Sequence, residues 1–492
     1  MRIITTLLLL MILAGQKTSY SQDTLKLSLK EVIKMAKQQS PDAKAAINRF
    51  KNSYWQYETY QAQKLPELTL HGTLPDLNRS IDEVTQPDGS DKFVNRQQAN
   101  YSTRLSLAQE LPFTGGSVFL NSNLRRIDLF GENRSTSYLS TPLSIGFRQP
   151  LFAFNSFKWN NKIEPLKYRE SKRQYLQSME QVSIKAVNLF FDVYLAKINI
   201  SIASNNKANK DTLYKIAKGR YNMGKIAENE LLQMELSRLN ADFSVEQSRL
   251  DYENSLFRLK SFLSLNKNTN IKLVPPEKPE TYKVSKEKAL AQGRENRQET
   301  LQFERKLLQA EKEVARARKN SGLRNASLYA QFGLSNDAND LPGAYTRPED
   351  QEQLQIGFSL PILDWGRSKA NRKMAKANQD LVKTNVKQQK IDFRQQIVLA
   401  VQEFNMQAKQ LKIAAKANRI GQKRYRITKN RFKIGKVDIT DLNLAANERD
   451  KARRSFIQSL RNYWTSKYKL RKLTLYNFPE DQPLEFDKEE IL

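Results

Sequence analysis

Several stretches of this chain alternate apolar with small polar residues at a period of two. In 139–147, Leu139, Thr141, Leu143, Ile145 and Phe147 fall on one face and Ser140, Ser144 and Gly146 on the other. In 354–360, Leu354, Ile356, Phe358 and Leu360 oppose Gln355, Gly357 and Ser359. Residues 68–74, 101–107, 118–124 and 326–334 follow the same rule, and His71 falls on a polar face. Alternation of this kind predicts strands with one apolar side. Strands of about ten residues, apolar outside and small-polar inside, suit a transmembrane β-barrel with a wet lumen. A soluble sandwich is the competing reading. It fits poorly because the strands interrupt a chain that is otherwise helical in pattern.

The remaining pattern has helical spacing. From about Ser156 to Lys218, Ala, Leu, Lys and Gln abound and predict one continuous helix, roughly 90 Å long at 1.5 Å per residue. Beyond it, Leu236, Phe243, Leu250 and Phe257 recur every seven residues, with Leu232 and Leu239 offset from them. Phe456, Leu460, Tyr463 and Leu470 form a similar series late in the chain. Seven-residue spacing marks coiled-coil seams.

These patterns occur twice. "RYNMGKIAENELLQ" (220–233) and "RFKIGKVDITDLNL" (431–444) share Arg, an aromatic, Gly, Lys, a β-branched residue and Leu in one order, with Gly224 and Gly435 211 positions apart. The same shift carries "IGFRQP" (145–150) onto "IGFSLP" (356–361) and Tyr252 onto Tyr463. A constant offset over more than a hundred residues fits long helices, because loops would tolerate insertions. Glycine in "NMGK" and "KIGK" places a tight helix-to-helix reversal in each copy. Each half thus holds an antiparallel pair of long helices with the repeated phrase at its tip. Each half also opens on a similar helix, "LSLKEVIKMAKQQSP" (27–41) and "VSKEKALAQGRENRQ" (284–298). Between opening helix and long helix the first half is about 45 residues longer, which predicts an extra hairpin at 101–126 turning near Gly115 and Gly116. The parts read as a leader (1–21), a first repeat (22–265), a Pro-rich polar linker (266–283), a second repeat (284–477) and an acidic tail (478–492).

Composition narrows the class. Of 492 residues, 39% are apolar and 27% charged, with only 17 Gly and 16 Pro. This suits long helices with narrow apolar seams. Met1-Arg2 followed by the apolar run Ile3–Ala14 reads as a signal peptide, so the chain is expected to be exported. No later stretch is expected to reach the ~20 apolar residues of a transmembrane helix. The chain has no Cys, which excludes disulfides and thiolate metal sites, and one His, which leaves no His-based triad or His-rich metal centre. An enzyme is therefore not expected, and neither cofactor nor metal is implied. The net charge of +30 is spread along the helices without any folded nucleic-acid motif, so nucleic acid is not an expected partner. The charge reads as solvated helix faces that touch anionic lipid head groups.

The opening helix, the strand-to-helix phrases "RQPLF" (148–152) and "LPILDWGRSKANRK" (360–373), and the paired tips resemble the TolC-like outer-membrane efflux proteins, also called outer membrane factors. The order Pro-aliphatic-X-Asp-X-Gly-Arg at 361–367 is the most specific piece; "FNSFKW" (154–159) departs from it in the first copy. The resemblance implies an internally duplicated α+β membrane protein. Three copies would build one outer-membrane β-barrel, about four to six strands each, continued by a periplasmic α-helical coiled-coil barrel. It implies a passive exit duct of a tripartite efflux or type I secretion system. The partners would be two further copies, outer-membrane lipid, a periplasmic adaptor (membrane fusion) protein and an inner-membrane transporter of RND or ABC type. It places Pro150 and Pro361 at the turn from strand into tunnel helix, and Trp159 and Trp365 near the periplasmic membrane interface. Gly224 and Gly435 match the tip glycines, Arg220 and Arg431 the basic tip residues, and Glu230 and Asp441 the acidic ones. Lys225, Lys436 and Glu230 would latch the closed tip, and Asp441 would form a threefold charged ring. An exported coiled-coil scaffold or adaptor without a channel is the alternative; it accounts for the heptads and leaves the amphipathic strands unexplained.

Overall fold

A computed structural model describes residues 25–131, 134–275, 279–320, 324–434, 436–487 and 489. The expected leader lies outside them, as does Gly435. The first half runs β1 (Leu25–Leu27), α1 (Leu29–Gln39), α2 (Pro41–Ala62), β2 (Glu67–Thr85), β3 (Asp91–Leu111), β4 (Gly116–Phe130), β5 (Ser135–Pro150), α3 (Ser156–Asn222) and α4 (Glu228–Phe262). After β6 (Ile271–Leu273) the second half runs α5 (Lys286–Asn296), α6 (Gln298–Lys319), β7 (Arg324–Ala338), β8 (Glu349–Ser359), α7 (Arg367–Lys433) and α8 (Ile439–Thr474). A short β9 (Tyr476–Asn477) and β10 (Gln482–Pro483) follow.

The duplication is visible in these bounds. Helices α3 and α7 both have 67 residues and start 211 positions apart. Helices α1 and α5 both have 11 residues, α2 and α6 both have 22, and these pairs are 257 positions apart. The two offsets differ because the first half carries four strands where the second carries two. In both copies the opening helix starts on a serine cap: Ser28 accepts from the Glu31 amide, and Ser285 from the Lys288 amide. Such a cap satisfies one of the amides that the first turn leaves unpaired. Ser28 and Glu31 complete a capping box, the Ser28 amide donating to Glu31 Oε2 at 2.6 Å.

The strands form one antiparallel six-stranded sheet in the order β2-β3-β4-β5-β7-β8. The predicted extra hairpin is β3–β4, paired into the middle of this sheet, with its turn at Gly115 where φ is +76°. The strands of the first half, at 15–21 residues, are longer than the expected ten. The linker is likewise not featureless, since β6 inside it pairs in parallel with β1.

Helix α3 corrects one further expectation. It is long and apolar enough, by length and composition, to cross a membrane. Part of its apolar run packs inside the protein, with Val187, Phe190 and Phe191 fully buried and 44% of the run buried in all. A helix hydrophobic all round is what a core position demands. It also contains Pro165, which removes one intrahelical hydrogen bond without ending the helix. Helices α4 and α8, at 35 and 36 residues, are about half as long as the partners they fold back on.

The chain divides into two compact units, and neither coincides with a sequence repeat. One comprises Met1–Arg49, Gln174–Arg297 and Arg394–Leu492. It is helical, with a core of Phe190, Phe404, Leu411, Leu460, Tyr463 and Leu470. The other comprises Phe50–Arg173 and Gln298–Phe393 and contains the six-stranded sheet. Its helices pack through rings, Tyr57 on Tyr168 at 4.6 Å, and through a two-pronged contact in which Arg305 donates to Glu170 at 2.6 and 3.1 Å.

Candidate functional site

The sheet separates two chemistries by strand register. Leu68, Leu107, Leu120, Ile145 and Phe332 are paired in sequence across five adjacent strands and so share one face. All five are exposed, Leu68 at 64% and Ile145 at 53%. One residue along, Thr69, Ser106, Asn121, Ser144, Gly333 and Gln351 are paired across all six strands on the other face. A soluble sheet buries its apolar face against a second layer; this one presents it. Five exposed large apolar residues in one cross-strand row need a non-aqueous neighbour.

Further along the apolar face the row gives way to Tyr101, Arg126 and Tyr138, paired across β3, β4 and β5. The Arg126 guanidinium lies 5.5 Å and 5.7 Å from the two ring centroids and is ion-paired to Asp128 at 2.9 Å. Amphipathic rings bordering an apolar band are the composition of a membrane–water boundary. The sequence reading missed this cluster, because only the register of three strands brings the residues together.

The strand-to-helix connections carry the other aromatics. Pro150 is the last residue of β5, and Pro361 follows β8 by two residues, whereas α3 and α7 begin at Ser156 and Arg367. Both prolines therefore stand in the strand-to-helix connection, at its strand end. Side chains set the helix starts instead. Asn155 accepts from the Lys158 amide at 3.1 Å, and Asp364 accepts from the Gly366 and Ser368 amides at 3.0 Å each. Trp365, with φ of +52°, is 89% exposed, and Ile362 beside it is 97% exposed; Trp159, in the first turn of α3, is half-buried. Phe113 in the β3–β4 turn is fully exposed as well, a residue the sequence did not single out.

At the tips the repeated phrase makes a repeated turn. The Lys225 amide donates to the Arg220 carbonyl at 2.9 Å and the Gly224 amide to the Tyr221 carbonyl at 2.8 Å, with Gly224 at φ +68°. These are the two bonds of a Schellman motif, which requires a left-handed residue at that place. The Lys436 amide donates to the Arg431 carbonyl, also at 2.9 Å, so the bond recurs 211 positions on. Helix α4 folds back along α3, Lys207 pairing with Asp242 at 2.6 Å and Arg238 lying over the Tyr214 ring. Helix α8 folds back along α7, with Arg449 over the Tyr425 ring at 3.9 Å. Asp438 caps α8 by accepting from the Asp441 amide at 2.8 Å, whereas Ala227 at the matching place in α4 offers no side-chain cap. The first turn thus gathers Arg220, Gly224, Lys225 and Glu230, and the second Arg431, Lys436 and Asp441. The charged members are all exposed, and among the described residues none takes part in an ion pair within the chain.

The heptads divide in an unexpected way. Leu460, Tyr463 and Leu470 on α8 are buried, whereas Leu236, Phe243, Leu250 and Phe257 on α4 are all exposed. Helix α7 adds a stripe that the sequence reading overlooked: Leu399, Met406, Ile413, Ile420 and Ile427, seven residues apart and all exposed. Two coiled-coil seams are therefore without a partner in the single chain.

An exposed apolar sheet row, a polar row behind it and helix hairpins with uncovered heptad seams define a class: membrane-sheet proteins built together with long coiled coils. Residues 296–474 match the family model described as outer membrane efflux protein, and the chain resembles the TolC-like outer membrane factors. Among solved structures, the Campylobacter jejuni CmeC outer membrane channel is similar with a TM-score of 0.65 and 18% identity, over 94% of this chain and 88% of that one. The outer membrane protein VceC of Vibrio cholerae is similar at 0.61 and 12% identity, over 93% and 97%. The open state of the Neisseria gonorrhoeae MtrE outer membrane channel gives 0.57 and 16%, over 91% and 88%. No curated protein sequence matches the chain.

Proposed function

We propose that this protein is an outer-membrane channel: the passive exit duct of a tripartite efflux or type I secretion system, reaching from the bacterial outer membrane into the periplasm. The observation that carries the reading is the exposed row Leu68–Leu107–Leu120–Ile145–Phe332 backed by the polar row Thr69–Ser106–Asn121–Ser144–Gly333–Gln351. Lipid covers the first row and lumen water wets the second. A six-stranded sheet with free edges at β2 and β8 leaves backbone groups unpaired, which hydrocarbon does not tolerate. Three copies closing edge to edge remove those edges. The same association covers the seams on α4 and α7, so a homotrimer answers both exposed surfaces.

In this reading Trp365, Ile362 and Phe113 enter the periplasmic border of the bilayer, with Trp159 beside them. The two turns carrying Gly224 and Gly435 meet a periplasmic adaptor, and an inner-membrane pump of RND or ABC type supplies the energy. The tip charges are free to pair between copies. Lys225, Lys436 and Glu230 act as weak latches, about 0–1 kcal/mol each if exposed, and Asp441 repeats around the axis as a ring felt by cations. The test is reconstitution of detergent-purified protein into planar bilayers. Stepwise conductance, with an oligomer that dissociates only on heating in dodecyl sulfate, is expected. A monomer soluble without detergent and silent in the bilayer would instead make it an exported coiled-coil scaffold.

A further inference from the structure

Within the helical unit, a cavity of about 710 Å³ opens between the start of α1, the segment 279–285, the first turn of α5, α8 and the chain after β9. Its size is that of a small-molecule site. Four elements each send a lysine to its lining: Lys30 from α1, Lys283 from the segment before α5, Lys288 from α5 and Lys467 from α8. The carboxylate in the lining is that of Glu280. Of the four, Lys288 is ion-paired, with Asp481. Among the described residues Lys30, Lys283 and Lys467 have no carboxylate at ion-pair distance.

Two further features show that the positive charge is under-compensated. Lys467 is half-buried with its ammonium 5.0 Å from the Trp464 ring centroid. Burial first, and then the guanidinium of Arg471, hold that ammonium below the ordinary lysine range, with Lys30 adding to the effect and Glu480 and Glu180 opposing it. Among the described residues the Trp464 indole N–H has no acceptor, and it is closed off from solvent. A buried donor without a partner is costly, and an indole in a protein interior ordinarily finds one. The rings of Tyr282, Trp464 and Phe478 also line it, beside prolines and small side chains.

We propose that this cavity binds a small organic anion, its acidic head held by Lys30 and Lys467, its apolar body against Tyr282, Trp464 and Phe478. An inorganic anion would answer the charge and leave the aromatic walls unused. A neutral aromatic would do the reverse. The site lies in the helical unit and stands apart from the conduit reading, so either can fail alone.

The test is calorimetric titration of the full-length protein in dodecyl maltoside with 2-naphthoate, 2-naphthamide and inorganic phosphate. Saturable binding of naphthoate, one per chain, is expected, at least about tenfold tighter than either control, because a charge-assisted contact is at stake. Lys467→Gln and Lys30→Gln should each weaken naphthoate about tenfold, and Trp464→Phe should abolish the tryptophan quenching that accompanies it. If Lys467→Gln does not assemble, Lys30→Gln decides, since Lys30 is exposed on the first turn of α1 and its loss leaves the core intact. Naphthamide or phosphate binding as tightly as naphthoate, or Lys30→Gln binding like the parent, overturns the proposal.

Discussion

The Arg471 guanidinium donates two hydrogen bonds to the Glu180 carboxylate, at 2.9 and 3.2 Å, and Glu180 is only 2% exposed. Lys37 adds a third at 3.1 Å, so α1, α3 and α8 meet on one buried carboxylate. Removing the principal partner strands a charge in the core. Arg471→Ala is expected to destabilise the helical unit by about 3–5 kcal/mol. Glu180→Leu combined with Arg471→Met should recover most of that loss, because two apolar side chains of similar size leave no charge buried and Lys37, its side chain 32% exposed, can turn to water. Chemical denaturation followed by circular dichroism distinguishes the two variants. If the double variant is as unstable as Arg471→Ala, the ion pair is not what holds these helices together.

Two glycines in the sheet are predicted to behave differently on substitution. A Cβ on Gly146 would run into the ring of Phe119, a side chain that can be shortened. A Cβ on Gly333 would sit 2.8 Å from the Leu143 carbonyl oxygen and 2.6 Å from Ser144 Cβ, against backbone that cannot move aside. Gly146→Ala should therefore reduce the folded yield and be rescued by Phe119→Ala, while Gly333→Ala should reduce it and not be rescued by Ser144→Gly, because the Leu143 carbonyl remains in the way. Heat-modifiable migration of the purified protein reads out both.

The two faces of β4 give the sharpest test of the membrane reading. Leu120 lies in the apolar row, and Asn121 in the polar one. A lysine facing mid-bilayer lipid costs about 2–4 kcal/mol, whereas one facing a wet lumen is solvated. Leu120→Lys is expected to lower outer-membrane insertion severely. Asn121→Lys should insert normally and shift the reversal potential in a salt gradient toward anion passage. Equal insertion of the two variants would mean that the exposed row does not meet lipid.

Much of this architecture was legible in the sequence, and the reasons can be traced to residues. The shift of 211 that superposes Gly224 on Gly435 also superposes α3 on α7, because helices of unbroken length conserve register where loops would not. The alternation at 139–147 and 354–360 marked both strands, and in 354–360 the two faces as well; in 139–147 a bulge between Ser140 and Leu143 turns Leu139 to the polar face, where the alternation had set it beside Ile145. It failed between Asp76 and Asn100, where β2 and β3 continue through a run with charged and polar residues on both sides. No period of two survives there, and only backbone pairing keeps the strands extended. The heptads named seams without saying which are covered: Leu460 and Tyr463 are buried within the chain while Leu236 and Phe243 are not. Burial depends on which helix lies alongside, and spacing carries no information on that. The Tyr101–Arg126–Tyr138 cluster was hidden for the same reason, being three distant residues joined by register.

The tip turns separate backbone effects from charge effects. Gly224 sits at φ +68° with open space where a Cβ would go, so Gly224→Ala introduces strain without a clash. A left-handed alanine costs about 1 kcal/mol. The Lys225 amide, held by the Arg220 carbonyl, should then exchange its hydrogen about fivefold faster, with the core amides of α3 around Phe190 unchanged. Asp441 is the complementary case. Its amide is held by Asp438, but among the described residues its exposed carboxylate has no partner. Asp441→Ala should therefore leave the α8 start folded, while Asp438→Ala should fray it, at about 1 kcal/mol for a lost cap. In planar bilayers Asp441→Ala is expected to weaken block by multivalent cations and lower cation preference, and Asp438→Ala to act through the fold of the turn. If Asp441→Ala leaves conductance and cation block untouched, this carboxylate only solvates the turn, and any gate must be sought among the remaining tip residues, beginning with Lys225 and Lys436.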